Sequence, residues 1–159
     1  MDYELMNMQV KGYLEEEPYF VSALSNISAL LFESLPDLNW AGFYLMHEGQ
    51  LTVAPFQGKP ACIHIAHGKG VCGTSAELDQ TMVVPDVHQF PGHIACDSAS
   101  NSEIVVPLHD PQSGSVLGVM DIDSPRFDRF SQEDREGLEK IARTIEAGIE
   151  WQLRSGQDS

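Results

Sequence analysis

Apolar residues recur along this chain with two different periods, and each period predicts a different kind of element. Near the N-terminus they come every three or four residues, which predicts a helix that begins at Pro18 and ends near Leu35. A second helix is predicted near the C-terminus, where Ser131 and Asp134 form a capping box. Its apolar stripe comprises Leu138, Ile141, Ala142, Ile145, Ile149 and Leu153.

Between these helices, segments rich in aromatic and β-branched residues predict two β-hairpins. The first hairpin joins "NWAGFYLM" to "LTVAPF" through the turn "HEGQ", and the second joins "EIVVPL" to "SVLGVMDID" through "DPQSG". The intervening segment predicts two short strands, a helix over Val71 to Leu78, and the irregular loop "HQFPGHIACDSASNS". Long irregular loops in compact domains are often functional, so this loop is a candidate site.

The order of helix, hairpin, irregular insert, hairpin and helix predicts an α+β domain with a central antiparallel sheet. Each terminal helix has one apolar face, so we expect both helices on one face of the sheet and pocket-forming loops on the other. Residues 1–17 are predicted to form an N-terminal arm or short helix, residues 18–153 the domain, and residues 154–159 a flexible tail.

Charge and hydropathy exclude several classes of partner. The chain has 24 acidic and 9 basic residues, a formal net charge of −15, and such a surface repels phosphate backbones and anionic membranes. No segment approaches the roughly 20 apolar residues of a membrane-spanning helix, and the N-terminus lacks the pattern of a secretory signal. We therefore expect a cytoplasmic protein that binds neither nucleic acid nor membrane.

Cysteines provide the first candidate chemistry, and the chain has three of them: Cys62, Cys72 and Cys96. All three lie in glycine-rich or irregular segments, where a small packing hydrophobe has little purpose. Reaction or metal binding is therefore favoured over a purely structural role. No C-x-x-C motif is present, but zinc remains an alternative, bound by the cysteines together with one of His64, His88 and His93.

Acidic residues at strand ends provide the second candidate chemistry. Strand alternation places Asp121 and Asp123 on one face, and Glu103 begins the strand that pairs with theirs. Hairpin pairing should therefore bring Glu103 close to Asp121 or Asp123, beside the loop that carries Cys96. Clustered carboxyls raise one another's pKa, so one can stay protonated as a general acid while others hold an ammonium group. The alternative is that these acids are solvated at the strand ends.

Two aromatic residues, Trp40 and Tyr44, share one face of the first strand, with Gly42 between them. Most such aromatics pack in a core. A glycine flanked by two rings also makes a flat slot for a small apolar group, so this strand is a second candidate wall of a pocket.

Several segments resemble the free methionine-(R)-sulfoxide reductases, small stand-alone enzymes built from one GAF domain. They are "NWAGFYL", "PFQGKPACIHI", "GKGVCGT", "DVHQFPGHIACDSASNSEIVVPL" and "GVMDIDSP". The resemblance runs from about Ser22 to Leu153 and includes both cysteine separations. It implies reduction of the R epimer of free methionine sulfoxide, with no metal or organic cofactor and with electrons from thioredoxin.

The resemblance also implies a role for each site residue. Cys96 is the expected attacking cysteine, Cys62 is the favoured resolving partner, and Cys72 helps to resolve or relays the disulfide. Trp40 and Tyr44 would hold the methyl end of the substrate. Three acids would bind its amino group and assist the sulfoxide: Glu103, Asp121 and Asp123.

The leading alternative is a non-catalytic GAF sensor, which would bind a small ligand and respond to redox state through a reversible disulfide. A sensor normally accompanies an output domain, and 159 residues leave no room for one. A GAF sheet flanked by two terminal helices often pairs helix to helix, so a homodimer is a candidate assembly.

Overall fold

The computed structural model describes residues 1–93 and 98–151 of the chain. Its helices are α1 (Tyr3–Glu16), α2 (Phe20–Ser34), α3 (Gly70–Leu78) and α4 (Gln132–Gly148). Its strands are β1 (Trp40–His47), β2 (Gln50–Gly58), β3 (His64–Ile65), β4 (Met82–Val84), β5 (Ser102–His109) and β6 (Val116–Ser124). None of the helices in these ranges is long and apolar enough to cross a membrane.

The strands form one six-stranded sheet in the order β3-β2-β1-β6-β5-β4. Every neighbouring pair is antiparallel, and the two predicted hairpins are confirmed as β1–β2 and β5–β6. The first hairpin closes with a two-residue turn in which Glu48 and Gly49 have φ angles of 52° and 83°. Positive φ at both positions matches the right-handed twist of the flanking strands.

The sheet separates two apolar clusters, which confirms the predicted arrangement of layers. Helices α1, α2 and α4 cover the face that carries Phe43, Ile104 and Met120. The opposite face carries Trp40 and Val119 and packs against α3. Because alternate residues of a strand point to opposite faces, each central strand contributes to both clusters.

Helix α1 is joined to the start of α4 through one carboxylate. Asp134 closes the predicted capping box with Ser131, and it also accepts a hydrogen bond of 2.5 Å from the Tyr3 hydroxyl. Burial opposes ionisation of Asp134, but these hydrogen bonds and the nearby Arg129 outweigh it and lower its pKa. The Tyr3 ring lies over Gly137, where an added Cβ would come within 2.2 Å of it. The absence of a side chain at Gly137 therefore leaves the space that the Tyr3 ring occupies.

The predicted extent of the last helix is wrong at its C-terminal end. Ile149 has extended backbone angles, φ −100° and ψ 147°, and Leu153 lies outside the described residues. The backbone of Glu150 instead pairs with the start of α2: its N–H donates to Pro18 O at 2.8 Å, and its carbonyl accepts from Phe20 N at 3.1 Å. Ile149 still packs on the core, although it lies outside the helix. Its apolar side chain therefore reflects this packing and not helical structure.

A histidine at the far end of β5 ties three elements together. His109 Nδ1 lies 2.6 Å from Glu146 Oε2 on α4, and Nε2 lies 2.5 Å from Asp79 Oδ1 at the end of α3. Partial burial alone would lower the pKa of His109, but the hydrogen bonds to the two carboxylates outweigh it and raise that pKa. The imidazolium form is therefore the one that the folded chain stabilises.

We expect His109→Gln to lower the free energy of unfolding by about 1–2 kcal/mol near pH 6, because hydrogen bonds to charged groups are lost. The folded pKa lies above the unfolded value of about 6.5, so the contribution is complete below that value and is lost as pH rises through the folded pKa. Urea unfolding of the wild type and His109→Gln at pH values below and above the folded pKa measures this contribution. The exposed His47→Gln should change little, and a wild-type advantage that is equal at low and high pH would contradict the account.

Candidate active site

A pocket opens on the face of the sheet opposite the terminal helices. It is walled by β1, β3, β5, β6, the first turn of α3 and neighbouring loop residues. Six predicted site residues line it: Trp40, Tyr44, Cys72, Glu103, Asp121 and Asp123. The neighbour of Cys62, Ala61, also lines it, whereas Cys96 lies outside the described residues.

The three acids lie together because of the β5–β6 register. Glu103 is paired directly with Asp123, and Asp121 is paired with Val105 two residues further along β5. All three acids are buried: Glu103 is 8% exposed, Asp121 is 4% exposed and Asp123 is 9% exposed. Their predicted proximity is therefore confirmed, and the alternative that they are solvated is wrong.

Burial raises the pKa of two of these carboxyl groups, Glu103 and Asp121. The pKa of Glu103 is raised well above its ordinary value, first by burial and then by the charges of Asp121 and Asp123. Burial also raises the pKa of Asp121, although the hydrogen bonds that it accepts act in the opposite direction. The protonated form of Glu103 is therefore favoured, and this is the form required of a general acid.

Cys72 contacts this acidic cluster directly. Its Sγ lies 3.8 Å from Glu103 Oε2, and the residue is buried in the first turn of α3. Burial, together with the charges of Asp121 and Glu103, raises the pKa of the thiol well above its usual value. The sequence predicted Cys72 as a site residue and placed the acids beside the Cys96 loop. It did not predict the contact between Cys72 and the acids, because that contact depends on how α3 packs on the sheet.

The glycine loop before α3 has a structural explanation. Gly68 and Gly70 have φ angles of 75° and 63°, and a Cβ on Gly73 would approach Ala66 O to 2.7 Å. The Gly68 N–H donates to Gly73 O at 3.1 Å, which folds the loop back on the helix. Gly68, Gly70 and Gly73 allow the chain to turn this tightly into α3. The turn holds Cys72 against the strands.

Trp40 and Tyr44 form the aromatic wall of the pocket and belong to a stack of three rings. Trp40 stacks on Tyr44 at 5.6 Å and on Phe56 at 5.0 Å between ring centroids. The predicted open slot over Gly42 is wrong, because a Cβ there would lie 2.2 Å from the Cβ of Phe56. Gly42 instead allows β2 to approach, and the stacking of Phe56 on Trp40 is a contact that the sequence did not reveal. The Trp40 Nε1 atom is buried without a hydrogen-bond partner among the described residues.

The two described cysteines are in different states. Cys62 is disulfide-bonded, whereas Cys72 is a free and buried thiol. A zinc site built from three cysteines needs all three thiols, so this state contradicts that alternative. His64 is exposed, and His88 Nε2 lies 2.9 Å from Asn101 Oδ1. Within residues 1–93 and 98–151, one group has the arrangement of metal ligands, and it comprises Cys72, Glu103 and Asp121.

The fold and pocket identify the class of protein. The GAF domain family matches residues 21–149, which contain the whole sheet. The chain is therefore a member of the GAF domain family.

Sequence relatives place the chain within one branch of that family. The free methionine-R-sulfoxide reductase of Escherichia coli K12 is 48% identical over 144 residues, covering 91% of this chain and 86% of the relative. The enzyme of the same name from Saccharomyces cerevisiae is 46% identical over 149 residues, covering 89% and 82%. The fRMsr of Staphylococcus aureus in complex with substrate has a TM-score of 0.88 at 48% identity, covering 94% of this chain and 97% of that one. The chain belongs to the free methionine-R-sulfoxide reductase family.

The acids should control the reactivity of Cys72. We expect Asp121→Asn to lower the pKa of the thiol and to speed its alkylation near pH 8 by about tenfold, the effect of one pKa unit. The rate is measured with iodoacetamide on the disulfide form, and the modified peptide is identified by mass spectrometry. Asp110→Asn, at the opposite end of the β5–β6 hairpin, is the matched control. Equal rates in the wild type and Asp121→Asn would contradict the electrostatic cause.

Proposed function

We propose that the protein reduces free L-methionine-(R)-sulfoxide to L-methionine. The observation that carries this proposal is the meeting of stacked rings and buried acids in one pocket. Free methionine sulfoxide has a group for each of them: a methyl group for the rings, an ammonium for the carboxylates and an S=O for a protonated acid. The relatives described above carry the name of this reaction.

The charge of the pocket accounts for a free amino acid as the substrate. Asp121 and Asp123 are buried and would form an ion pair with the ammonium group of the substrate. The first turn of α3, with Gly70 and Val71, lines the same pocket, and N–H groups at a helix start bind carboxylates well. A methionine sulfoxide within a peptide has neither charge, so it would leave the acids unpaired.

Glu103 would activate the sulfoxide. The sulfur of a sulfoxide becomes electrophilic when its oxygen is protonated or strongly hydrogen-bonded. Burial and the neighbouring acids raise the pKa of Glu103, which favours the protonated form that can donate to this oxygen. This role needs no metal or organic cofactor.

The proposed chemistry begins at Cys96. Its sulfur attacks the sulfur of the substrate, the sulfoxide oxygen is transferred, and methionine leaves while Cys96 becomes a sulfenic acid. The substrate thereby gains two electrons, and Cys96 loses two. In support, His93 and Ser100, on either side of the segment that contains Cys96, both line the pocket.

Cys62 would then resolve the sulfenic acid. Its thiol displaces water from Cys96 and forms a disulfide, which the dithiol of thioredoxin reduces by exchange while becoming a disulfide itself. The disulfide-bonded state of Cys62 and the free state of Cys72 support this assignment. The raised pKa of Cys72 makes it a poor nucleophile and leaves it a secondary, relaying role. A cytoplasmic location would supply the reductant.

Turnover tests this proposal directly. The wild type, given free methionine-(R)-sulfoxide and dithiothreitol, should release methionine, and Cys96→Ser should be slower by about a thousandfold or more because it lacks the attacking atom. Methionine is quantified by chromatography, with the S epimer as the substrate control. Wild-type activity in Cys96→Ser would reassign attack to another thiol. Binding without any turnover by the wild type would instead indicate a GAF sensor.

A further inference from the structure

We propose that the pocket is also a binding site for Zn²⁺, held by Cys72, Glu103 and Asp121, and that the bound ion excludes the amino-acid substrate. The three residues come from α3, β5 and β6, so the site is built by tertiary packing. One ligand atom from each lies within 4.8 Å of the other two, and all three residues are buried.

The distances suit a small tetrahedral ion. Zn–S bonds of about 2.3 Å and Zn–O bonds of about 2.1 Å at a tetrahedral angle place sulfur and oxygen about 3.6 Å apart. The observed separation of Cys72 Sγ from Glu103 Oε2 is 3.8 Å. A metal could therefore bind with only small side-chain movements.

A separate observation points to a missing ligand at one oxygen of this cluster, although Asp121 also accepts hydrogen bonds within the cluster. Asp121 is 4% exposed, and its Oδ1 is buried without a hydrogen-bond partner among the described residues. An oxygen that is left unpaired in this way costs free energy, and a cation restores its lost solvation. Lys69 and His93 are the basic side chains among the described lining residues, and Lys69 is exposed. Among the described lining residues, no buried lysine or arginine accompanies these acids.

The donor set selects the metal. Thiolate is a soft ligand that favours Zn²⁺, whereas Mg²⁺ prefers oxygen ligands alone and retains its water. Three protein ligands leave a fourth tetrahedral position open toward the pocket. Zn²⁺ is therefore the expected ion, and Co²⁺ is its spectroscopic substitute.

The functional consequence depends on the proposed function. Zn²⁺ bound between Glu103 and Asp121 would occupy the carboxylate oxygens that the substrate ammonium needs, and it would prevent Glu103 from donating a proton. Zinc should therefore inhibit the reductase in competition with methionine sulfoxide. The metal is an inhibitor here and takes no part in turnover.

Metal binding is tested without any activity measurement. Co²⁺ is titrated into the disulfide form, in which Cys72 is the free described cysteine. One equivalent should produce a near-ultraviolet thiolate-to-cobalt absorption band, which Zn²⁺ should abolish and Mg²⁺ should leave unchanged. Absence of the band in the folded wild type overturns the proposal.

Variants locate the site. Cys72→Ser should lose the band, and Asp121→Asn should bind Co²⁺ at least about tenfold more weakly, with circular dichroism showing that each variant is folded. His109→Gln, which removes a histidine outside the pocket, should bind like the wild type. If Cys72→Ser is unfolded, Glu103→Gln provides the same test through its weakened binding. A band that survives in folded Cys72→Ser overturns the assignment.

Steady-state kinetics of the reduced protein then test exclusion of the substrate. Zn²⁺ should raise the apparent KM for methionine-(R)-sulfoxide and leave kcat unchanged, with Mg²⁺ as the control. Cobalt binding in a protein without turnover would refute the proposed function but retain the metal site. Turnover without cobalt binding would refute the metal site alone, and inhibition that lowers only kcat would refute competition for the pocket.

Discussion

The structure depends on three carboxyl groups that are buried beside one another at the end of a β-hairpin. Glu103, Asp121 and Asp123 are each less than a tenth exposed, so water cannot screen their mutual repulsion. Protons or a bound cation must offset it. This requirement connects the raised pKa of Glu103, the poor reactivity expected of Cys72 and the preference proposed for a substrate with a free ammonium group.

The fold places this cluster by separating the two faces of its sheet. Even-numbered residues of β6, such as Met120 and Ile122, pack under the terminal helices, while Asp121 and Asp123 point to the opposite face. The apolar core under the helices is therefore separated by the sheet from the buried carboxyl groups of the pocket. Distant contacts such as the one between Tyr3 and Asp134 strengthen that core.

Local patterns were sufficient to predict the sheet, its hairpins and the meeting of the acids. A hairpin fixes its own register, and the register brought Glu103 opposite Asp123. The contacts of Cys72 and Phe56 depend on how separate elements approach, which local periodicity does not encode. The end of α4 was missed for the same reason, since backbone pairing with the start of α2 stops the helix before Ile149.

Blocking the amino group of the ligand tests the central claim most directly. Calorimetric titration compares free L-methionine-(R)-sulfoxide with its N-acetyl derivative, which keeps the methyl and S=O groups but has no ammonium. If the buried carboxylates bind that charge, the derivative should bind at least about a hundredfold more weakly, as expected for the loss of one partner of a buried ion pair. Equal affinities would contradict the account.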